Sequence, residues 1–384
     1  MVLLMEWSSL QQRLRTRMAG IEMLRALAIL AVLLQNRTSP EFGIDDPFAR
    51  LWALISGTGW SGVQLFFVIS GFLITGILID SEGKPGRWRN FIMRRVLRIF
   101  PLYFGFLAFF YLLLPALDAL PAWLESSRSQ QIWFWAYLVN WVQPYTEGLG
   151  FGHLWSLAIE EQFYLVWPWL VILLPRRRMV ALCLLLIVSA PLFRILLSVY
   201  DPHWVESAYT FTFARWDALA LGALLACLLR SEPAWQRLRS WVWPLFLLLS
   251  GLMASQLLLF HEFRAVTGTL GLLNQTTVAL WSALLLILVL RVEAPQGTGW
   301  KVRLGRLLMR IGKYSYAIYL VHLPIKIWWI DAGHAWLPSD FPVLGVPAAL
   351  LANFFSVLLM SMAVAALTWQ WLEAPFLRLK RHFQ

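Results

Sequence analysis

Apolar residues run along this chain in long unbroken blocks, not at the alternating intervals of a half-buried strand. About 20 apolar residues, rising 1.5 Å each in a helix, cross a hydrocarbon core of about 30 Å. Blocks of about that length predict spans at 20–36, 60–80, 98–117, 154–174, 180–200, 213–230, 241–260, 268–291, 312–330 and 344–372. The expected fold is all-α: a polytopic membrane protein of about ten transmembrane helices. Ile132 to Val142 is also apolar, but at about 11 residues it is too short to cross, and it is expected to lie as an interfacial or re-entrant segment. Residues 1–19 are polar and lead into the first span without a cleavable signal pattern. There is no internal repeat, low-complexity tract or appended soluble stretch. The expectation is one membrane domain over 1–384, with 1–19 as an N-terminal segment and 373–384 as a tail.

Composition agrees. Apolar residues make up 59% of the chain and charged residues 14%, against roughly 25% charged in a soluble domain, which excludes a soluble globular protein. Many of the 23 Trp fall near predicted span ends, where an amphipathic ring suits the headgroup zone. The net charge of +11 would point to nucleic acid only if its distribution were ignored. Twenty-four of the 32 Lys and Arg fall in the N-terminus, the tail and every second connection, four fall in the other connections (Arg37, Arg50, Arg128, Arg264) and four within spans. By the positive-inside rule both termini are cytoplasmic. Cys183 and Cys227 both sit inside spans and read as small apolar packing residues.

Ionisable residues within spans are costly and are candidates for function. Glu22 and Arg25 are neighbours on one face of the first span at i, i+3. Asn36 follows three turns later, about 16 Å up the same face. The third span opens on Arg94, Arg95 and Arg98, followed by Pro101 and Tyr103; the Arg95/Arg98 pair suits phosphate. The fourth span opens on His153, Ser156, Glu160, Glu161, Gln162 and Tyr164. Ser156, Glu160 and Tyr164 recur every four residues along one stripe. Capping by a first-turn acid explains part of this, but not two carboxylates nearly two turns in. The sixth span carries Arg215 and Asp217, and the ninth carries His322 and Lys326. A lone membrane histidine is more often a packing residue than a catalyst, and the Glu22–Arg25 pair alone would serve as an anchor. No His, Cys or Glu cluster has metal-ligand spacing, and no glycine-rich nucleotide loop is present.

Six separated blocks carry a resemblance over nearly the whole chain. They are Ile21 to Ala28 around Arg25; Gly62-Val-Gln-Leu-Phe-Phe-Val-Ile-Ser70-Gly71-Phe-Leu-Ile; Phe91 to Tyr103; His153 to Pro168; Arg215-Trp-Asp217-Ala-Leu-Ala-Leu-Gly222; and Tyr314 to His322. In this order the chain resembles the acyltransferase-3 family of bacterial inner-membrane proteins that O-acylate surface glycans. The resemblance implies transfer of an acyl group, commonly acetyl, from cytoplasmic acyl-CoA to a sugar hydroxyl of an extracytoplasmic or lipid-linked glycan. It implies that Arg25, Arg95, Arg98, Ser70 and Tyr103 serve the donor and that the His153–Tyr164 block forms the reaction centre. No nucleic-acid partner and no metal are implied.

Two positions depart from the family pattern: Asn36 stands where a histidine is expected, and Gln64 where an aspartate is usual. An asparagine amide can orient a hydroxyl or support an oxyanion, but it cannot accept a proton near neutral pH. The expectation is therefore an O-acyltransferase that binds acyl-CoA and transfers slowly, unless His153 or Glu160 serves as the base. Two alternatives stand beside it: a catalytically inactive acyl-CoA-binding protein and, less in keeping with a chain lacking two-fold internal similarity, a transporter or flippase.

Overall fold

The computed structural model describes residues 10, 19–35, 46–260, 263–267, 270–290, 292–293, 295–341 and 343–383. Among these the secondary structure is helical, without strands. Ten long helices follow in chain order: α1 (Ala19–Gln35), α2 (Ser61–Asp80), α3 (Arg87–Ala108), α4 (Trp155–Leu173), α5 (Arg176–Tyr200), α6 (Thr212–Leu228), α7 (Val242–Phe260), α8 (Gly271–Val289), α9 (Trp300–Asp331) and α10 (Gly345–Thr368). Each overlaps one predicted span.

Counted with the short helices and turns continuous with them, seven segments are long and apolar enough to cross a membrane. The helices outside that group are α1, α4 and α9, and the reason is local. At 17 residues α1 is short of the length, whereas α4 and α9 bear Glu160 and Glu161, and His322 and Lys326, side chains that single them out and also lower their hydropathy. Helices α3 and α9 begin 11 and 12 residues ahead of their predicted spans. Their basic openings stop a hydropathy window, but Lys and Arg are good helix formers and do not stop a helix. The Ile132–Val142 segment is not one element. It forms two single-turn helices, Ile132–Trp135 and Val139–Val142, on either side of Tyr137, whose φ of 54° lies in the left-handed region.

Packing divides the chain into two compact units, Met1–Ile69 with Cys227–Ala365, and Ser70–Ala226 with Ala366–Gln384. In the first, α1 lies along α9. The approach is close because residue 312 is glycine: a Cβ there would run into the Glu22 carbonyl. In the second, α3 to α6 and the remainder of α2 pack with the C-terminal turn. Gly71 allows α2 to press on the Leu219 carbonyl of α6, where any side chain would collide. Apolar side chains that face outward, such as Leu173, Leu185, Val199 and Leu258, are what a lipid-facing surface requires. Cys183 and Cys227 are buried and unbridged, as small packing residues would be.

Candidate functional site

The second unit brings six of the sequence candidates together. On α4, the i, i+4 stripe aims Glu160 and Tyr164 at the same point on α2. Ser70 donates its hydroxyl to Glu160 Oε1 at 2.6 Å, and Tyr164 donates its own to Ser70 Oγ at 3.2 Å. A second bond between the same helices, Trp167 Nε1 to Thr75 Oγ1 at 2.8 Å, keeps them in register. From α3, the Arg95 guanidinium lies 5.6 Å from the centre of the Tyr164 ring and 5.6 Å from that of Phe91. Placed over these ring faces it meets their electron-rich side. Tyr164, Arg98, Glu161 and Glu160 are the groups whose charges bear on it.

Adjacent Glu160 and Glu161 point to different surroundings, as consecutive helical positions must. Glu161 lines a cavity of about 290 Å³ together with Arg95, Gln162, Tyr164 and Tyr137. The rest of its wall is mostly apolar, including Ile92, Val96, Phe100, Leu138 and Leu165. A mostly apolar hollow with a few convergent polar groups is the usual character of a small-molecule site. Arg95 and Tyr164 belong both to this cavity and to the Ser70–Glu160 chain, so they join the two.

Gln162 holds the far wall. Its Nε2 donates to the Tyr137 carbonyl at 2.8 Å and to Asn140 Oδ1 at 2.9 Å, and its Oε1 accepts from Thr212 Oγ1 at 2.5 Å. Asn140, wholly buried, donates to Thr212 Oγ1 at 3.0 Å and to the Thr210 carbonyl at 3.3 Å. These bonds tie the broken 132–142 segment to α4 and hold Tyr137 in its left-handed conformation. The Tyr103 ring stacks beneath Tyr137, 4.2 Å centre to centre, and its hydroxyl donates to the Phe134 carbonyl at 2.9 Å. Tyr103 is wholly buried and is not part of the cavity wall, so it supports the segment from below.

Other candidates lie elsewhere in this unit. His153 sits in the turn Gly152–Leu154 ahead of α4, seven residues and so about 10 Å of helical rise from Glu160. The hydroxyl of Ser156 is 3.5 Å from the His153 carbonyl, at the outer limit of a hydrogen bond. Arg215 and Asp217 meet different neighbours. The Arg215 guanidinium lies 5.0 Å from the centres of both the Trp155 and Tyr209 rings. Asp217 pairs with Arg194 of α5 at 3.1 Å, both wholly buried.

The first unit holds Glu22, Arg25, Gln64 and His322. Arg25 Nη1 is 3.9 Å from Glu22 Oε2, a long ion pair on a mostly buried face. Gln64, wholly buried, donates Nε2 to the Gln275 carbonyl at 2.7 Å. His322 is wholly buried with Nδ1 at 2.6 Å from the Tyr319 carbonyl. A carbonyl only accepts, so Nδ1 carries the proton in this contact. Asn36, the position of the expected histidine, lies outside the described residues. Among the described residues no three His, Cys, Asp or Glu side chains converge as metal ligands would.

Sequence reasoning named Gln162 within the polar opening of the fourth span without giving it a role, and did not single out Asn140, Tyr137 or Thr212. Gln162 carried one signal, its place directly after two carboxylates on a span. Asn140 and Tyr137 carried a weaker one, polar groups inside an apolar segment too short to cross.

A family model described as an acyltransferase domain, Acyl_transf_3, matches residues 18–370. A Bacillus subtilis protein provisionally named peptidoglycan O-acetyltransferase YrhL is 29% identical over 80% of this chain and 48% of its own length. Staphylococcus aureus proteins provisionally named O-acetyltransferases are 26% identical over 94% of this chain and 57% of theirs. The Listeria monocytogenes peptidoglycan O-acetyltransferase OatA is 26% identical over 81% of this chain and 50% of its own length. The chain thus spans about half the length of these relatives. No solved structure matches it.

Proposed function

The chain belongs to this acyltransferase family, and on that premise we propose that it is a multi-pass O-acyltransferase of the bacterial inner membrane. It takes an acyl group, acetyl by analogy with its named relatives, from cytoplasmic acyl-CoA and delivers it to a hydroxyl of an extracytoplasmic or lipid-linked glycan of the peptidoglycan class. The observation that carries this reading is the Arg95–Tyr164–Ser70–Glu160 chain at the edge of a cavity. Phosphates are held at the start of α3 by Arg95 and Arg98, in keeping with the affinity of guanidinium for phosphate. The amphipathic arm of the donor runs into the mostly apolar cavity past Arg95. There the Arg95 guanidinium is the donor able to polarise a thioester carbonyl.

The acceptor hydroxyl attacks that carbonyl. A C–O bond forms, the C–S bond breaks, the hydroxyl proton passes to a base and the sulfur leaves as the free thiol of CoA. Asn36 cannot serve as that base. Glu160 already holds an alcohol proton from Ser70 at 2.6 Å, the geometry in which a carboxylate accepts one from a sugar. Glu160 meets Tyr164 through Ser70, whereas His153 lies about 10 Å back along the axis, so Glu160 is the base in this reading. The sidedness follows the charge split of the sequence.

Glycan-dependent release of CoA thiol tests this directly. Turnover by the chain as written, lost in Glu160→Gln and kept in His153→Ala, is the expected pattern. Turnover that requires Asn36→His would remove Glu160 from the base role. CoA binding without turnover in any variant would identify an inactive acyl-CoA-binding protein, and glycan movement without CoA release a transporter.

A further inference from the structure

The C-terminal turn contributes a cation that neither the resemblance nor the family match reaches. After α10 the chain continues through a π turn at Trp369–Glu373, the short helix Ala374–Arg378 and the turn Leu379–His382, all of which pack on α3. Two arginines of α3 fasten this turn. Arg94 Nε donates to the Phe383 carbonyl at 2.5 Å, and the Arg89 guanidinium lies 5.8 Å from the centre of the Phe383 ring. Held there, the half-buried Lys380 stands in the field of Arg98 first, then Arg95 and Arg94.

This gathering of like charge works against folding. Four cations share one patch, and like charges at close range repel, the more so where water is partly excluded. No carboxylate is among the groups that act on Lys380. Arg94 and Arg95 have other contacts, a carbonyl and two aromatic rings. A basic strip that only set orientation would gain nothing from curling its tail back to add a further charge. A site that binds a doubly charged anion would.

We infer that Lys380 and Arg98 form, with Arg95 behind them, a phosphate-ester site completed by the C-terminal turn. Arg98 offers the planar fork that matches phosphate, and Lys380, on the turn packed against α3, a compact point charge. The inference rests on the acyl-CoA reading, because a phosphate held here would place the rest of the donor alongside Arg95 and the cavity. The headgroup of an anionic lipid carries the same chemistry.

The test uses the full chain in phosphatidylcholine nanodiscs, with CoA binding followed by calorimetry. Lys380→Gln is expected to weaken CoA about tenfold, the scale of one charged hydrogen bond. Arg381→Gln, an equal loss of charge one residue along, is expected to change it by less than about twofold, since exposed charges interact weakly through water. A parallel arm measures thermal stabilisation by added phosphatidylglycerol. Loss of that stabilisation in Lys380→Gln with CoA affinity intact would support the phosphate site and assign it to lipid. Equal effects of the two substitutions, or none in either arm, would overturn the inference. If the unaltered chain binds no CoA, the donor reading fails on its own, and the phosphatidylglycerol arm still decides whether Lys380 holds phosphate.

Discussion

Two charged centres within the second unit are built to opposite purposes. The Arg194–Asp217 pair is closed. Both side chains are wholly buried at 3.1 Å, Arg194 Nη1 also donates to the Ala214 carbonyl at 2.5 Å, and the Ala218 amide donates to the other Asp217 oxygen at 2.9 Å. Arg95 is open. Its face rests on Phe91 and Tyr164, and it shares a cavity with Glu161. A closed pair offsets its own desolvation and has nothing left with which to bind a ligand. An open arginine beside carboxylates in a hollow retains that capacity, which is why perturbed groups gather at functional sites.

The largest effect should separate the two centres by kind. Glu160→Gln keeps the shape and the Ser70 contact but removes the proton acceptor. Transfer should fall roughly 10²- to 10⁴-fold, as for loss of a general base, while thermal stability in detergent barely moves. Asp217→Ala should do the reverse. It leaves a buried guanidinium without its carboxylate, a loss of about 3–5 kcal/mol, read as lost folded yield and a lower unfolding temperature. Replacing both partners, Arg194→Met with Asp217→Leu, should recover most of that stability. A double variant no more stable than Asp217→Ala alone would mean that the pair does more than fold the chain.

Gln64 sharpens the contrast from the first unit. An aspartate is usual at this position in the family that the chain resembles, so Gln64→Asp would look like a restoration. The structure argues otherwise, because the amide here is used as an amide: Nε2 donates to the Gln275 carbonyl. An aspartate would lose that donor and set a buried acid near a carbonyl oxygen. About 1–3 kcal/mol of stability should go, the usual cost of a buried polar group left unsatisfied. The double variant Asn36→His with Gln64→Asp should then be less stable than Asn36→His alone, as differential scanning fluorimetry would show. Equal or greater stability would place a partner for the new carboxylate beyond Gln275.

How much of this was legible in the sequence follows from how far each signal reaches along the chain. All ten long helices were legible, because a block of about 20 apolar residues needs no partner to be recognised. The Glu160–Tyr164 stripe was legible too, since i, i+4 spacing fixes a shared face. Its target, Ser70, lies 90 residues away on another helix, and only the family resemblance pointed to it. Asp217 was legible as a charge inside a span, but Arg194, with which it pairs, lies on α5, and no spacing within α6 points there. The roles of Gln162 and Lys380 were hidden for a related reason. Their meaning comes from what a broken segment and a C-terminal turn fold back to touch, and no local period records that.

The smallest expected effect decides what Tyr103 does. The family resemblance assigns it to the donor site, whereas the structure buries it under Tyr137 with its hydroxyl on the Phe134 carbonyl. Tyr103→Phe deletes one oxygen and keeps the ring, so the stack on Tyr137 survives. The remaining loss is one buried hydrogen bond, about 1 kcal/mol. As a support of the 132–142 segment, Tyr103→Phe should lower the unfolding temperature slightly and leave CoA affinity within about twofold. As a donor contact it should instead weaken CoA by several-fold at unchanged stability. Tyr103→Leu makes the distinction sharper. Removing the ring also removes the stack that holds Tyr137 in its left-handed conformation, so stability and transfer should fall together. Arg95→Ala, by contrast, should weaken CoA about tenfold with little change in stability. If Tyr103→Leu instead copied Arg95→Ala, Tyr103 would belong with the open centre and touch the donor after all.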